Sequence, residues 1–352
     1  MKSRSKKKKV VIISLSIVLI FIVVAGIVAA TIYKRIFEPN VLINGKEPVY
    51  LYISNTGDFS SVKDSLYHYN IIANKTSFEW VAERKGLPSN IKSGRYEIVP
   101  NMSNNALINL LRSGKQTPVK LTFNNIRTKE QFSGRMAEKF DFDSIELIAL
   151  LNDTDFLKQY QKTPETAMTL FIPNTYQIYW NTDAEKFVAR MKKEYDTFWE
   201  GKRYNQLQDI KMTINEVVTL ASIVQEETNK NDEKPRIAGV YINRLKSNWQ
   251  LQADPTLKFA LGDFTIRRIL DEHKETESPY NTYKYTGLPP GPISMPDISS
   301  IDAVLNYEHH NYYYFCAKDD MSGYHVFENS LAQHNINAKK YHNALNRAKI
   351  YK

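Results

Sequence analysis

The chain has 352 residues and one cysteine, and its 42% hydrophobic and 24% charged residues are typical of a folded globular protein rather than a disordered chain. Its formal net charge is +9, but six basic residues lie within 1–9 and two more are Lys34 and Arg35, so 36–352 carry a net charge of only +1. This near-neutral balance argues against a basic nucleic-acid-binding domain, and the single Cys316 excludes an internal disulfide and a cysteine metal site.

The first element along the chain is an uncharged apolar run at 10–32. It exceeds the roughly 20 residues that a helix needs to cross a bilayer. Because six basic residues precede it and two follow it, the positive-inside rule places the N-terminus in the cytoplasm and the rest outside. A cleaved signal peptide is the alternative, with Ala29 and Ala30 near a cleavage site, but the run is too long for a signal-peptide core. We predict an uncleaved single-pass anchor in the cytoplasmic membrane.

A linker is predicted at 33–48, followed by a small α+β unit at 49–124. Alternating apolar residues predict its strands, and capping and Gly-containing stop signals predict its helices. The predicted strands are 49–56, 93–100 and 119–123, and the predicted helices are 58–69, 77–85 and 103–112.

The remainder of the chain divides by pattern into 125–205 and 206–352. The first segment has helical patterns, and its residues give no function. The second contains nearly all the chemically suggestive residues. Its predicted elements are helices within 213–247, a loop rich in Pro, Gly and Tyr at 278–297, a helix at 299–306, a strand at 312–318 and a helix at 330–348.

The helix that follows Thr213 supplies a candidate proton donor. Thr213 and Glu216 form the capping-box pattern of a helix start. One face then carries only apolar residues, namely Val217, Leu220, Ala221 and Val224, while Thr219, Ser222 and Glu226 share the opposite side. Glu227 continues the apolar face, at a position where the pattern requires a hydrophobic residue.

A carboxyl group at that position is expected to be desolvated. Desolvation raises the pKa of Glu227 and keeps a proton available near neutral pH, as a general acid requires. The alternative is that Glu227 lies beyond the buried part of the helix and is solvated. Glu226 points about 100° away and is predicted to be an ordinary surface charge.

The segments after this helix combine aromatic, amide and proline residues. A second helix at 236–245 is followed by polar and aromatic segments at 250–256, 278–283 and 287–293. Such segments suit pyranose rings, which stack on aromatic faces and form hydrogen bonds with amides. The Pro-Pro-Gly tripeptide at 289–291, taken alone, is typical of a structural turn.

Together these segments resemble the endolytic murein transglycosylases, the MltG or YceG-like family. The similar stretches, in order, are 220–228, 242–245, 251–256, 280–283 and 287–293, with 314–317, 323–327 and 334–335 similar to the C-terminal signature of the family. The resemblance covers essentially the whole chain and is specific after about residue 213.

The resemblance implies an α+β protein with a single N-terminal transmembrane helix. Its implied parts are a cytoplasmic tip at 1–9, the span at 10–32, the linker at 33–48, a LysM-like α+β subdomain at 49–124, a helical connecting region at 125–205 and a larger mixed α+β catalytic domain at 206–352. The catalytic glutamate of the family precedes Thr in a Glu-x-Glu-Thr pattern, which falls on Glu227. The sequence departs from the family pattern at Gln225, Asn174 and Asp297, where Glu, Asp and Gly are expected.

The implied reaction cuts nascent peptidoglycan strands between N-acetylmuramic acid and N-acetylglucosamine, leaves 1,6-anhydro ends and terminates strand elongation. Glu227 first donates a proton and then accepts one, so the chemistry needs no metal or cofactor. The implied partners are the glycan strand, the bilayer around 10–32 and peptidoglycan synthases, with no nucleic acid.

Seven polar residues are expected to line the glycan cleft: Asn243, Gln252, Asp254, Tyr280, Asn281, Tyr283 and His325. For Asn243 and Asp254 the alternative is a capping role. For His325, which has no carboxylate nearby in sequence, the alternative is a structural role. Two further functions stay open, namely a tethered glycan-binding or scaffold module without catalysis, and a hydrolase of the same bond.

Overall fold

The computed structural model describes residues 2–43, 45, 47–266 and 268–348. The chain begins with one long helix, α1 (Lys2–Phe37), and an 18-residue window within its part from Lys9 to Phe37 has a mean hydropathy of 3.2. This part is long and apolar enough to cross a membrane, and its apolar side chains up to Tyr33 are exposed. The helix therefore continues five residues beyond the predicted span, which ends at Ile32.

The predicted linker does not form one free segment. Its first residues complete α1, and Asn40 and Val41 are buried. Val41 forms an isolated antiparallel bridge with Ile72, and the amide of Asn40 donates to the side chain of Asn104 at 2.7 Å. The contacts of Val41 with Ile72 and of Asn40 with Asn104 therefore hold this segment against residues that follow it in the sequence.

The end of α1 is held by side chains from two other helices. The carbonyl oxygen of Arg35, which has no partner within α1, accepts hydrogen bonds from Ser77 Oγ at 3.2 Å and Asn104 Nδ2 at 2.8 Å. The same Asn104 amide donates to Ser77 Oγ at 3.0 Å, and both side chains are buried. These bonds satisfy a helix-end carbonyl that water would otherwise solvate.

The described chain divides into two compact units, and the first comprises the residues up to Val119 together with Gln177–Asn181. Besides α1 it contains β1 (Val49–Ile53), α2 (Phe59–His68), α3 (Lys75–Arg84), β2 (Gly94–Ile98) and α4 (Asn104–Ser113). β1 and β2 are antiparallel, with Val49 opposite Ile98 and Ile53 opposite Gly94.

The helices of the first unit begin at polar caps and bury their apolar faces in one core. Asp58, Asn74 and Ser103 accept hydrogen bonds from the first turns of α2, α3 and α4, and Gly114 ends α4 with a φ of +69°. The core includes Leu51, Ile53, Leu66, Phe78, Val81, Leu87, Tyr96, Ile98, Leu107, Ile108 and Leu111. α3 begins before the predicted residue 77 because Asn74 caps it.

The second unit comprises Lys120–Tyr176 and the residues from Thr182 onward. Its helices are α5 (Lys129–Ala137), α6 (Ser144–Asn152), α7 (Thr154–Lys158), a 3₁₀ turn (Ala167–Leu170), α8 (Ala184–Trp199), α9 (Lys202–Ile210), α10 (Ile214–Glu227), α11 (Lys234–Lys246), α12 (Asp254–Leu261), α13 (Asp271–Lys274), α14 (Ile298–Leu305) and α15 (Leu331–Arg347). The aromatic rings of Phe123, Phe132, Phe140, Phe142, Phe171 and Phe187 pack together in its core.

The predicted α+β class is confirmed. In the part of the chain that the structure describes, the strands form small two-stranded sheets, and most of the other elements are helices. β3 (Val119–Phe123) pairs with β4 (Asn174–Ile178), which the sequence did not predict, and β5 (Tyr314–Ala317) pairs with β6 (His325–Glu328). In the latter hairpin Ala317 lies opposite His325. The predicted limits of the LysM-like, connecting and catalytic segments stay predictions.

α10 departs from the predicted one-sided burial. Every residue from Val217 to Val224 is buried, including Thr219 and Ser222 on the side opposite the apolar face. The helix is covered by α11, α12, α14 and the 3₁₀ turn on different sides. Ser222 Oγ donates to the Thr219 carbonyl at 2.7 Å and accepts from the Ile293 N–H at 3.0 Å, so its burial leaves no polar atom unpaired.

Candidate active site

The second unit contains a cavity of about 380 Å³ at the C-terminal end of α10. Its wall is formed by α11, the start of α12, the hairpin β5–β6 and the start of α15. Glu227, the last residue of α10, lies in this wall. The cavity brings together residues that are up to about one hundred positions apart in the sequence.

Glu227 has the electrostatic environment that its position on α10 predicts. Burial raises its pKa from 4.5 to about 7, and the nearby charge of Asp254 acts in the same direction. The hydrogen bond from Tyr241 and the charges of Lys258 and Arg244 act against this rise. Near neutral pH the carboxyl group can therefore exist in both its protonated and its ionised form.

Tyr241 is the direct partner of Glu227. Its hydroxyl donates to Glu227 Oε1 at 2.5 Å, and the tyrosine is buried on the inner face of α11. Burial and the adjacent carboxyl group raise the pKa of Tyr241 well above its ordinary value, so the hydroxyl stays a donor. The ring of Phe315 packs edge-on against Tyr241, with 5.8 Å between ring centroids.

Glu226 is not the solvated surface charge that the sequence predicted. Its carboxylate forms an ion pair with Arg127 at 2.9 Å, and its side chain is only 18% exposed. The pairing with a residue 99 positions away explains why the local pattern gave no sign of it.

Asp254 and Tyr283 form a second hydrogen-bonded pair on the cavity wall. The Tyr283 hydroxyl donates to Asp254 Oδ1 at 2.5 Å. Two bonds join their segments, because Gln252 N–H donates to the Thr282 carbonyl and Ala253 N–H to the Thr282 hydroxyl, both at 3.0 Å. Burial, followed by the charge of Asp254, raises the pKa of Tyr283.

Four of the seven predicted binding residues line the cavity: Gln252, Asp254, Tyr283 and His325. His325 has a carboxylate partner that is remote in sequence, because Glu233 approaches it from the start of α11. His325 Nδ1 lies 2.8 Å from Glu233 Oε2, and the backbone N–H of His325 donates to Glu233 Oε1 at 2.8 Å.

The other three predicted binding residues do not line this cavity. Asn243 donates to the carbonyls of His310 and Tyr312 at 2.8 and 3.0 Å, which holds the segment before β5 against α11. Asn281 is buried and donates to two backbone carbonyls. Tyr280 packs on Phe259 beside a separate cavity of about 270 Å³.

Arg244 holds the framework of the site. It is buried, and it donates to the Tyr313 carbonyl at 2.7 Å and the Leu251 carbonyl at 2.6 Å. It thereby ties α11 to both the residue before β5 and the loop before α12. The sequence offered one sign of this role, namely a charged residue inside an otherwise apolar helix pattern.

Tyr241, Glu233, Arg244, Tyr314 and His334 are site residues that the sequence analysis did not select. Tyr314 and His334 line the cavity and stack with 5.3 Å between ring centroids. Burial, followed by the charge of Arg244, lowers the pKa of His334. Across residues 2–43, 45, 47–266 and 268–348, no three His, Cys, Asp or Glu side chains form a group that could hold a metal ion.

Two of the three residues that depart from the family pattern, Gln225 and Asp297, contact each other. Gln225 Nε2 donates to Asp297 Oδ2 at 3.1 Å, and Gln225 Oε1 accepts from Ser300 Oγ at 2.5 Å. A glutamate at position 225 would place a second negative charge against Asp297, so the amide fits the aspartate. Asn174 is exposed at the start of β4, and its side chain bonds to the backbone N–H of Thr175.

Comparisons with known proteins identify similar sequences. The model of the YceG-like family matches residues 51–340. An endolytic murein transglycosylase of Bacillus subtilis strain 168 is 30% identical over 324 residues, covering 88% of this chain and 88% of that protein. An endolytic murein transglycosylase of Streptococcus pneumoniae strain D39 is 26% identical over an alignment of 333 residues, with a coverage of 86% of this chain and 60% of that longer protein.

The fold is also found in a solved structure. The crystal structure of a yceG-like protein from Listeria monocytogenes matches with a TM-score of 0.54 and 29% identity, covering 83% of this chain and 99% of that one. The family match, the relatives and the fold agree, and the chain belongs to the YceG-like family.

Proposed function

We propose that this chain is a membrane-anchored lytic transglycosylase that cuts nascent peptidoglycan strands between N-acetylmuramic acid and N-acetylglucosamine. The observation that carries the proposal is the carboxyl group of Glu227, with its pKa raised to about 7, in the wall of a cavity. The names of the relatives from Bacillus subtilis and Streptococcus pneumoniae supply the substrate.

In the first step, protonated Glu227 gives its proton to the glycosidic oxygen. The bond between that oxygen and C1 of N-acetylmuramic acid breaks, and N-acetylglucosamine leaves with a free 4-hydroxyl group. In the second step, the Glu227 carboxylate accepts the proton of the muramyl 6-hydroxyl while O6 bonds to C1. The product has a 1,6-anhydro ring, Glu227 regains its proton, and no water is consumed.

One carboxyl group suffices for this reaction because the nucleophile belongs to the substrate. The attack is intramolecular, so correct placement of the muramyl ring supplies much of the rate. Glu227 must donate and then accept a proton, which a group with a pKa near the working pH does efficiently. The hydrogen bond from Tyr241 stabilises the carboxylate between the two steps.

Gln252, Asp254, Tyr283 and His325 are proposed to contact the sugar. They combine an amide, a carboxylate, a phenol and an imidazole, which suits hydroxyl and acetamido groups. The bonds of Asn243 and Asn281 to backbone carbonyls give these two residues a framework role instead. No step of the mechanism calls for a metal or cofactor.

Hydrolysis of the same bond is the second candidate function. Ordinary glycoside hydrolysis uses two carboxyl groups, and Asp254 is a second carboxylate on the same cavity wall. The products separate the two reactions, because hydrolysis adds the mass of one water and leaves a reducing end.

The anchor proposal assigns the apolar part of α1 to the cytoplasmic membrane, with the basic N-terminus in the cytoplasm. An enzyme tethered in this way meets strands as they are made, so each cut would end the growth of a strand. Peptidoglycan synthases are the expected partners, and 49–124 is proposed to be a LysM-like unit. The proton donor in the cavity favours an enzyme over a scaffold module.

The test is digestion of purified peptidoglycan by the full chain in detergent, followed by mass spectrometry. We expect 1,6-anhydro ends from the wild type and from Glu226→Gln, which removes the neighbouring carboxylate, and none from Glu227→Gln. Anhydro products from Glu227→Gln would overturn the assignment of the acid. Products that carry an added water would establish the hydrolase.

A further inference from the structure

We infer that Glu233 is a positioning residue, which fixes His325 so that its Nε2 atom accepts a hydrogen bond from the glycan substrate. The naming of a glycan as the ligand rests on the proposed function. The geometry of the pair does not depend on it.

The contact between the two residues is bidentate. The backbone N–H of His325 donates to Glu233 Oε1 at 2.8 Å, and Nδ1 of the ring lies 2.8 Å from Glu233 Oε2. The side chain of Glu233 is only 4% exposed, at the N-terminal end of the 13-residue helix α11. Both carboxylate oxygens are thus directed at one residue, across 92 positions of sequence.

This contact determines which ring nitrogen of His325 carries the proton. An ionised carboxylate can only accept hydrogen bonds, so Nδ1 must be the donor. In the neutral ring, Nε2 then has no proton and is an acceptor. Among the described residues Nε2 has no hydrogen-bond partner, and His325 lines the same cavity as Glu227.

Aromatic packing holds the ring in this orientation. Phe315 packs edge-on against His325, with 5.4 Å between ring centroids and 87° between planes. The same Phe315 packs edge-on against Tyr241, the hydrogen-bond partner of Glu227. The His325 ring is therefore connected to the proposed proton donor through two consecutive ring contacts and one hydrogen bond.

An acceptor in the cavity wall selects a donor on the ligand. The sugars of a peptidoglycan strand offer hydroxyl groups and acetamido N–H groups, and either fits a neutral Nε2. A ligand that offers only acceptors would be rejected. The inferred contact is thus with a hydroxyl or acetamido N–H of the strand.

The first experiment measures the binding of chitotetraose by calorimetry to full-length protein that carries Glu227→Gln, so that nothing is turned over. Two further substitutions at position 325 separate the two ring nitrogens, since the amide of Asn lies near the former Nδ1 and that of Gln near the former Nε2. We expect His325→Asn to weaken binding about tenfold, the loss of one hydrogen bond, and His325→Gln to retain most of the affinity.

The reverse order of the two variants would overturn the inference, because it would show that only the link to Glu233 matters. Failure of the parent protein to bind chitotetraose would also overturn it. A wild type that binds but does not cleave peptidoglycan would instead refute the proposed function and leave this inference in place.

The second experiment uses Glu233→Gln, which keeps the size of the side chain and reverses its hydrogen bonding. The new amide N–H group faces Nδ1, so the ring proton is expected to move to Nε2 and turn the acceptor into a donor. Nitrogen-15 NMR of histidine-labelled protein reports the tautomer directly. We expect an Nδ1–H ring in the parent, an Nε2–H ring in the variant and about tenfold weaker binding.

The other histidine signals serve as the control for folding in this variant and must keep their positions. An Nε2–H ring in the parent protein refutes the inference. Unchanged chitotetraose affinity in a variant with a reversed tautomer refutes it as well, because a merely structural pair would behave in that way.

Discussion

Removal of the Tyr241 hydroxyl is expected to move the working pH of the enzyme upward. Tyr241→Phe deletes the donor that lies 2.5 Å from Glu227 Oε1 and keeps the ring that packs on Phe315. This donor favours the ionised carboxylate and so lowers the pKa of Glu227, against the larger effect of burial. Without it, the pKa rises above its value of about 7.

The size of the change follows from the strength of the bond. A hydrogen bond to a charged group contributes about 1.5–3 kcal/mol, and one pKa unit corresponds to about 1.4 kcal/mol. The pKa of Glu227 should therefore rise by about one to two units in Tyr241→Phe. Because the reaction begins from protonated Glu227, activity falls as pH rises through this pKa, and the variant should lose activity at a higher pH than the wild type.

The assay is kcat/KM for anhydro-product formation on soluble glycan strands, measured from about pH 5 to pH 10. The maximum of kcat/KM should fall, because the hydrogen bond from Tyr241 also orients the carboxyl group. The alkaline limb of the pH profile, on which activity decreases, should move to higher pH. An alkaline limb that stays in place, or moves to lower pH, would refute the proposed role of this hydrogen bond.

Three further predictions test the same site and its support. Asp254→Asn removes a charge that raises the pKa of Glu227, so the alkaline limb should move to lower pH in the same assay, opposite to Tyr241→Phe. Because the pKa of Glu227 rises from 4.5 to about 7 on folding, the wild type loses stability as pH rises through that window, by at most about 3 kcal/mol. Glu227→Gln should therefore be the more stable protein in denaturant unfolding at pH 8 but not at pH 4; equal stability at both would contradict the buried-acid assignment. Ser222→Ala leaves the buried Ile293 N–H without its acceptor and should lower the free energy of unfolding by about 1–3 kcal/mol, whereas a change near zero would show that the amide finds another partner.

The sequence could predict what is encoded locally. The capping box at Thr213 and the apolar face that follows it place Glu227 at the end of that face, where it is half-buried and burial raises its pKa. The caps and stop signals of the first unit likewise predict its helices to within a few residues. Both results depend on neighbours in sequence.

What the sequence could not predict depends on remote partners. Tyr241 and Glu233 look like ordinary helix residues until the fold brings them to Glu227 and His325. An amide such as Asn281 can bind a backbone carbonyl or a sugar, and only the packed loop decides between them. The four-residue strand β6 is likewise too short to give a periodic signal and is formed by pairing with β5.

The two hydrogen bonds that Ser77 and Asn104 donate to the Arg35 carbonyl have a mechanical consequence. With α1 crossing the bilayer as proposed, these bonds attach the end of the anchor directly to α3 and α4. A change in bilayer thickness that tilts the anchor would turn these two helices with it. The lipid environment would thereby change the orientation of a part of the protein that lies outside the membrane.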